Sequence, residues 1–565
     1  MEGLSTGVPL FLLASLVPAV AAAADDTPVS TGWTVDSGER VEVEAPPPGA
    51  EAPDRSAATG EGAGDEPPAE ASGEGVDDGF HLDLHGYYRA RTHVIGNLMY
   101  VLDMDPDGRT ETLEYVTQRL RLQPEIGYGE WVTLHVTVDA LDNVVWGDNA
   151  GLSSTALFAG EPSQTGLEGS EMPFVYVRHA WLETNVKFGV LRVGRMPSDW
   201  GLGILSNGGE GFDDDFGDNW HGDTYDRILF ATKPISIVRA LMGEDPGDTP
   251  LILVASWDKL VEDFQKLDSR TGEPVNPRDA YDSGWLARDD DDVDEWTVAA
   301  VWHQDDLDWL GPRDSLQAGV YYVFREQPST SSEIHIFDAY LKLRLWDFFL
   351  EGELDAIRGS TKALALGEED PPGSGLYMLR DADVLGWLVR LGWQRWMFTV
   401  KLESGYASGD SDPNDATFSN MALNPDVNVG LLMYEELLAQ RTRDHWADQE
   451  GLWSKGGVYN SYFFMVTGIV EPLEDLQFTL GILTAWADQA CDVAFQGINC
   501  SPDDRHPNIG LELDASARYR FWDRRVMAVV EGGWLHPNDE TLSLDAFGLG
   551  GTDMWTIQTR LAFVF

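Results

Sequence analysis

The chain has 565 residues and a formal net charge of −58, with 43% hydrophobic and 11% aromatic residues. So acidic a chain excludes nucleic acid, whose phosphates it would repel, and 21 Trp, 17 Tyr and 23 Phe are more than a soluble sandwich needs. No internal run reaches the about 18 apolar residues of a helical span, so the body of the chain could cross a bilayer only with strands.

Residues 1–24 read as a secretory signal, since Val8 through Ala24 is rich in Leu and Ala and ends on Ala22-Ala23-Ala24. Glu2 departs from the usual positive start. Residues 25–79 carry fifteen acidic side chains against two basic, with Pro46-Pro47-Pro48 and Pro67-Pro68 among Gly, Ala and Ser. Such a segment cannot bury enough apolar surface to offset ordering. A disordered, acidic, Pro/Gly-rich periplasmic tether is expected.

From Phe80 to Phe565 the chain resolves into about eighteen alternating segments of about ten residues, which predicts an all-β fold, a transmembrane antiparallel β-barrel over 80–565. Strands fall near 80–96, 113–126, 130–141, 173–185, 186–195, 222–233, 250–258, 294–304 and 314–326. They continue near 334–346, 348–360, 380–393, 396–407, 456–470, 475–488, 508–521, 524–535 and 552–565. The connections mostly alternate between long and short. Tyr128-Gly129, Trp346-Asp347, Gln394-Arg395 and Asp523-Arg524 are tight. Segments 97–112, 142–172, 196–221, 259–293, 361–379, 408–455, 489–507 and 536–551 are long. Outer-membrane barrels have short periplasmic turns and long external loops. Residues 234–249 break the alternation and read as a small plug or a missed strand.

Within the first long loop, Asp103-Met104-Asp105-Pro106-Asp107-Gly108 with Glu114 at position twelve follows a calcium-loop pattern. Alternate carboxylates around a Gly bend could wrap a hard cation, although the flanks read as strands and not as helices. A loop-stiffening calcium site at Asp103, Asp105, Asp107 and Glu114 is one reading, and solvated charge the other. No other cofactor is required. Asp213-Asp214-Asp215 and Asp289 through Asp292 read as solvated charge.

Basic residues two apart give the main functional signal: Arg89 and Arg91, Arg119 and Arg121, Lys342 and Arg344, Arg518 and Arg520. That spacing puts both members of a pair on one strand face. Facing lipid near the midplane, each would cost about 2–4 kcal/mol, so they belong inside the ring or at its rim. Arg178, Arg192, Arg390, Lys401 and Arg560 fall under the same argument. Acidic strand residues Glu183, Glu351, Glu353, Asp355, Glu403, Glu512 and Asp514 could pair with them. The interior would then be either a basic path or a salt-bridged filling.

Later in the chain, Val429 through Leu438 predicts a short apolar helix that packs into the barrel mouth. Cys491 and Cys500 predict a loop-closing disulfide in an oxidising compartment. On the last segment Trp555, Ile557, Thr559, Leu561, Phe563 and Phe565 share one face, with Gln558, Arg560 and Ala562 on the other. An apolar face backed by a polar one suits a strand between lipid and water. No G-x-S-x-G, H-E-x-x-H or P-loop is present, and the histidines are scattered, so no catalytic group assembles.

Val190-Leu191-Arg192-Val193-Gly194-Arg195-Met196-Pro197-Ser198-Asp199-Trp200-Gly201-Leu202-Gly203 and Glu403-Ser404-Gly405-Tyr406-Ala407-Ser408-Gly409-Asp410-Ser411-Asp412-Pro413-Asn414-Asp415 resemble segments of alginate-export-type outer-membrane porins. The layout over 80–565 resembles still more a myxobacterial barrel group with the same acidic tether. The resemblance implies passive passage through a selective pore, with Arg192 and Arg195 on or near the lumen wall. It implies that Asp410 and Asp412 anchor the external loop after the thirteenth strand. Met196 replaces the polar residue usual in the first motif.

Together these features predict an outer-membrane, porin-like channel passing small anionic or saccharide solutes along luminal Arg and Lys. Its partners would be outer-membrane lipid, lipopolysaccharide and the barrel assembly machinery. The alternatives are a non-conducting scaffold or adhesin, and a barrel hydrolase.

Overall fold

The computed structural model describes residues 79–98, 112–129, 131–146, 175–211, 214–219, 222–260, 293–305, 307, 309, 314–363, 379–411, 415–442, 452–490, 507–542 and 552–565. Residues 1–24, the tether up to Asp78, Asp103, Asp105, Asp107, Asp213, Asp289 through Asp292, Asp412, Cys491 and Cys500 lie outside the described residues.

The first nine strands are β1 (Phe80–Gly96), β2 (Leu113–Tyr128), β3 (Val132–Val145), β4 (Val175–Val186), β5 (Gly189–Pro197), β6 (Thr224–Thr232), β7 (Leu251–Leu260), β8 (Asp294–Gln304) and β9 (Ser315–Gln327). Then come β10 (Ser332–Leu345), β11 (Phe348–Thr361), β12 (Arg380–Arg395), β13 (Phe398–Ala407) and the two-residue β14 (Thr417–Phe418). The last five are β15 (Ser461–Leu473), β16 (Leu476–Ala487), β17 (Asn508–Phe521), β18 (Val526–Pro537) and β19 (Met554–Val564). β14 only lies parallel against β12, through Asp381↔Thr417 and Ala382↔Phe418. The other eighteen run antiparallel in chain order, β13 pairs with β15, and β19 returns to β1. The result is the expected closed, eighteen-stranded antiparallel barrel.

The seam pairs Tyr87 with Val564, Arg91 with Arg560 and Gly96 with Trp555. Gly86 and Phe565 exchange backbone hydrogen bonds of 3.0 Å in both directions. A Cβ on Gly86 would stand 2.4 Å from the Arg121 carbonyl oxygen, so only glycine allows this closure.

Each strand alternates, but in the reverse sense to a soluble sheet. Along β19, Trp555, Ile557, Leu561 and Phe563 are exposed, whereas Thr556, Gln558 and Arg560 are buried. Apolar groups outside and a guanidinium inside mean that lipid is the outer solvent, so the ring spans a membrane. Tyr128, Trp131, Trp346, Phe348, Trp396 and Trp522 are exposed at or beside the tight turns. They form an aromatic girdle at that interface. Trp346, Trp396 and Trp522 hold φ of 63°, 57° and 54°. That conformation disfavours bulky residues, so an indole there is tolerated for its place in the interface.

Two predictions about loops resolve here. Segment 234–249 is neither a plug nor a strand: Pro234–Leu241 is a helix, α1, started by its proline. The apolar helix expected after β13 is present as a π-helical segment, Met433–Leu438, with Met433, Tyr434, Leu437 and Leu438 buried. It packs in an apolar core with Leu388, Phe463, Leu483, Ile509 and Leu535 from the wall.

Candidate functional site

The inner wall is polar, and its chemistry follows from register. Where the ladder sets opposite charges across from each other, they pair within the wall. Arg121 faces Asp139 and donates to both carboxylate oxygens, at 2.7 and 2.8 Å. Arg195 faces Asp226 and does the same at 2.8 Å twice. Arg227 faces Asp258, at 2.7 and 2.8 Å. Arg192 faces Glu183 at 2.8 Å, Arg325 faces Glu295, and Arg390 faces Glu403.

Elsewhere the ladder sets like against like. Arg89 lies opposite Arg119, and Arg91 opposite Arg560. Asp338 lies opposite Asp355. Like charges directly opposite are destabilising unless something compensates. Arg119 finds Asp142 on β3, and Tyr176 donates to the same carboxylate at 2.9 Å. Arg560 lies 3.6 Å from Glu531 on β18. Further compensation comes from the segment between β5 and β6, whose described residues lie inside the ring. Its Asp218, 3% exposed, meets Arg89 at 2.5 Å, Arg91 at 3.3 Å and Arg560 at 3.1 Å. Burial pushes the Asp218 carboxyl up, but Arg560, Arg89 and Arg91 overcome it and hold it at about 2. The same segment supplies donors to the acidic row. Trp200 Nε1 donates to Asp338 at 2.6 Å, and the Leu202 N–H donates to Glu353. The Trp200 ring stands edge-on to Tyr321 and Tyr340, with centroids 4.7 and 5.0 Å away.

The segment after β13 enters the same space and locks to the first. Asn424 Nδ2 donates to Asp223 at 2.7 Å, and the Asn424 N–H donates to the Ile204 carbonyl at 2.7 Å. Asn428 Nδ2 donates to Asp214 at 2.9 Å and to Asn219 at 3.2 Å. Glu512 on β17 accepts the N–H groups of Leu431, Leu432 and Met433 at 2.7, 2.8 and 2.7 Å. These are the orphan donors at the start of the π-helical segment, so the wall itself caps it. Burial pushes Asp223 up to about 6, with Asp426 adding to the push and the Asn207 N–H opposing it. Asp410 accepts from Arg380 at 3.4 Å and from the Ser419 N–H at 3.4 Å, so it ties down the loop after β13.

The remaining basic residues named from sequence fall as follows. Arg178 donates to the Gly222 carbonyl at 3.0 Å and lies 3.8 Å from Asp139. Lys401 pairs with Asp215, and Arg518 donates to the Asp214 carbonyl. Lys342 lies 6.0 Å from the Tyr340 ring centre, Arg344 bonds Gln394, and Arg520 is half-buried beside the turn after β17. Of the calcium-loop residues only Glu114 is described, exposed on β2.

One expectation is corrected here. The run at Asp214 and Asp215 is not solvated charge, because both sit inside the ring in contact with Lys401, Arg518 and Asn428. The carboxylates expected beside the basic residues are inside as well, since Glu353, Asp355, Glu512 and Asp514 are buried. Asp258, Glu295 and Asp338 join them, so the wall is less basic than its Arg and Lys alone suggest. Sequence reasoning passed over Arg227, Arg325, Asp139, Asp142 and Asp218. The first four are charged residues inside apolar strands and carried the same signal as the pairs. Asp218 carried none, because it lies in an acidic loop.

No family model matches the chain, and no curated protein matches it. The likeness to alginate-export and myxobacterial barrels therefore rests on sequence motifs and layout alone. Solved structures similar to this chain are outer-membrane proteins. The outer membrane protein OpdK of Pseudomonas aeruginosa is 10% identical with a TM-score of 0.43, over 86% of this chain and 98% of that one. OccAB1 of Acinetobacter baumannii is 12% identical with a TM-score of 0.46, over 88% and 99%. A BenF-like porin of Pseudomonas fluorescens Pf-5 is 9% identical with a TM-score of 0.45, over 86% and 98%. Likeness of this degree names neither a family nor a solute.

Proposed function

We propose that this chain is an outer-membrane, porin-like channel for passive passage of small anionic or polyhydroxylated solutes. The observation that carries the reading is a closed ring of eighteen strands with an inner wall of arginines, carboxylates and amides. Barrels of about 16–18 strands enclose an aqueous channel, so the two loops inside narrow a passage that the wall alone would leave wide. Arginines along that passage favour anions and sugar hydroxyls, both of which accept hydrogen bonds.

Single-channel recording in planar bilayers tests this. Conduction with a reversal potential on the anion side is the expected result. Arg119→Ala with Arg121→Ala should move that potential toward cations. A folded barrel that never conducts would leave the second reading, a closed scaffold or adhesin. The fit of the described residues of 198–223 and 408–460 inside the ring favours that alternative.

A further inference from the structure

Inside the ring a cavity of about 210 Å³ lies between the wall and the two inner segments, and its lining is divided. On the loop side stand Glu435 and Glu436, consecutive residues of the π-helical segment, with Asp218, Asn428 and one cation, Lys455. Glu435 Oε1 is shielded from solvent with no hydrogen-bond partner. Burial pushes both carboxyls up, Glu436 to about 7, against the pull of Arg91. A buried acceptor in that state needs a donor. On the wall side stand Arg91 and Gln558, with His93 and Tyr115 beside them. The His93 and Tyr115 rings are stacked, 4.6 Å between centres and 6° from parallel, which gives the cavity one flat wall.

Charged solutes fit this division poorly. An ammonium group would satisfy the glutamates, but it would sit beside Arg91, with Arg89 and Arg560 converging on the same Asp218. An anion would suit Arg91 and Lys455 but meet Asp218 and two half-buried glutamates. A neutral polyol suits both sides, because each hydroxyl both donates and accepts. It can donate to Glu435 and Glu436 and accept from Arg91 and Gln558 while its C–H face lies on the flat wall. With about 30 Å³ per water, the cavity has the room of about seven waters, enough for one sugar ring and no more.

We propose that this cavity is a binding subsite for a single neutral sugar ring. The proposal rests on the channel reading and narrows its solute to the polyhydroxylated, uncharged class. The test uses the full barrel in planar bilayers, with glucose, glucuronate, putrescine and alanine added in turn. Glucose should interrupt the current in a concentration-dependent way, with the other three weaker. Glu435→Gln combined with Glu436→Gln should shorten the interruptions about tenfold, because an amide nitrogen replaces a carboxyl oxygen that the ring hydroxyls bond. Tyr115→Leu should shorten them independently, without touching the segment that carries the glutamates.

A conducting barrel that ignores glucose, or responds more strongly to putrescine, glucuronate or alanine, would overturn the subsite and leave the channel standing. A barrel that does not conduct would overturn the channel. Calorimetric titration of the detergent-solubilised protein with glucose then decides the subsite, heat of binding supporting it and silence overturning it.

Discussion

The ladders from β2–β3 to β8–β9 and those at β19–β1–β2 and β10–β11 solve the same problem in opposite ways. In the first, cross-strand register already places Arg opposite Asp or Glu, as at Arg121–Asp139, Arg195–Asp226 and Arg227–Asp258. In the others, register places Arg89 against Arg119, Arg91 against Arg560 and Asp338 against Asp355. Segment 198–223 reaches both of those stretches. It brings a carboxylate to the arginines and N–H donors to the carboxylates. The self-paired wall also bonds the loop, through Arg227 to Ser198 Oγ and Arg178 to the Gly222 carbonyl, but the wall of like charges depends on it for partners. The mispaired register thus helps to fix the inner loop in place.

The largest effect expected from this comparison is at Asp218. Replacing it with Asn leaves Arg89, Arg91 and Arg560 buried together without their shared counter-charge. Breaking a buried pair from one side costs about 3–5 kcal/mol, so Asp218→Asn should lower the unfolding midpoint in detergent by a matching amount. Single-channel conductance should rise as the loop loosens. An unchanged midpoint with unchanged conductance would mean that the arginines hold nothing.

At the acidic end the loss is smaller. Trp200→Phe keeps the ring between Tyr321 and Tyr340 but removes the donor to Asp338. An unsatisfied buried acceptor costs about 1–3 kcal/mol. Denaturant unfolding should report a loss in that range, with little change in the contacts around Asp218.

Acidity should tune the junction between the two inner segments. Asp223 is held near 6 by burial, with Asp426 facing it, Asn207 and Asn424 donating to it, and Arg325 acting in the opposite sense. A carboxyl raised in the folded state favours docking while protonated, and that contribution fades as pH rises from about 4 through about 6. Proteolysis of the inner segments should therefore be slower at pH 5 than at pH 7.5, and Asp223→Asn should flatten the difference. A faster cut at pH 5 would reverse the assignment.

How much of this was legible in sequence depends on range. Period two exposed the faces of β19 and the lumen side of Arg89, Arg91, Arg119 and Arg121, because alternation is local. It could not show that Arg91 lies opposite Arg560, since that register joins strands far apart in the chain. Nor could it place Asp218, which sits in an acidic run like many surface loops until the fold folds it inward. Segment 234–249 was anomalous in length, and Pro234 with Ile235, Ile237 and Val238 was enough to suggest a helix, but the assumption of tight turns obscured it. The charges of the inner wall were therefore visible one by one, and their partners were not.

The smallest effect belongs to a self-satisfied pair near solvent, and it is the sharpest control. Arg195 and Asp226 make two bonds of 2.8 Å, as good in geometry as any pair inside the ring. Their side chains, however, are 31% and 45% exposed, against 4% and 2% for Arg89 and Asp218. Screened pairs of this kind contribute about 0–1 kcal/mol, so Arg195→Ala should barely move the unfolding midpoint. It should also leave the segment between β5 and β6 docked, because Trp200, Leu202 and Asp218 hold that segment elsewhere on the wall. If Arg195→Ala instead cost as much as Asp218→Asn, geometry and not burial would set the strength of these pairs. The contrast between self-paired wall and loop-paired wall would then lose its physical basis.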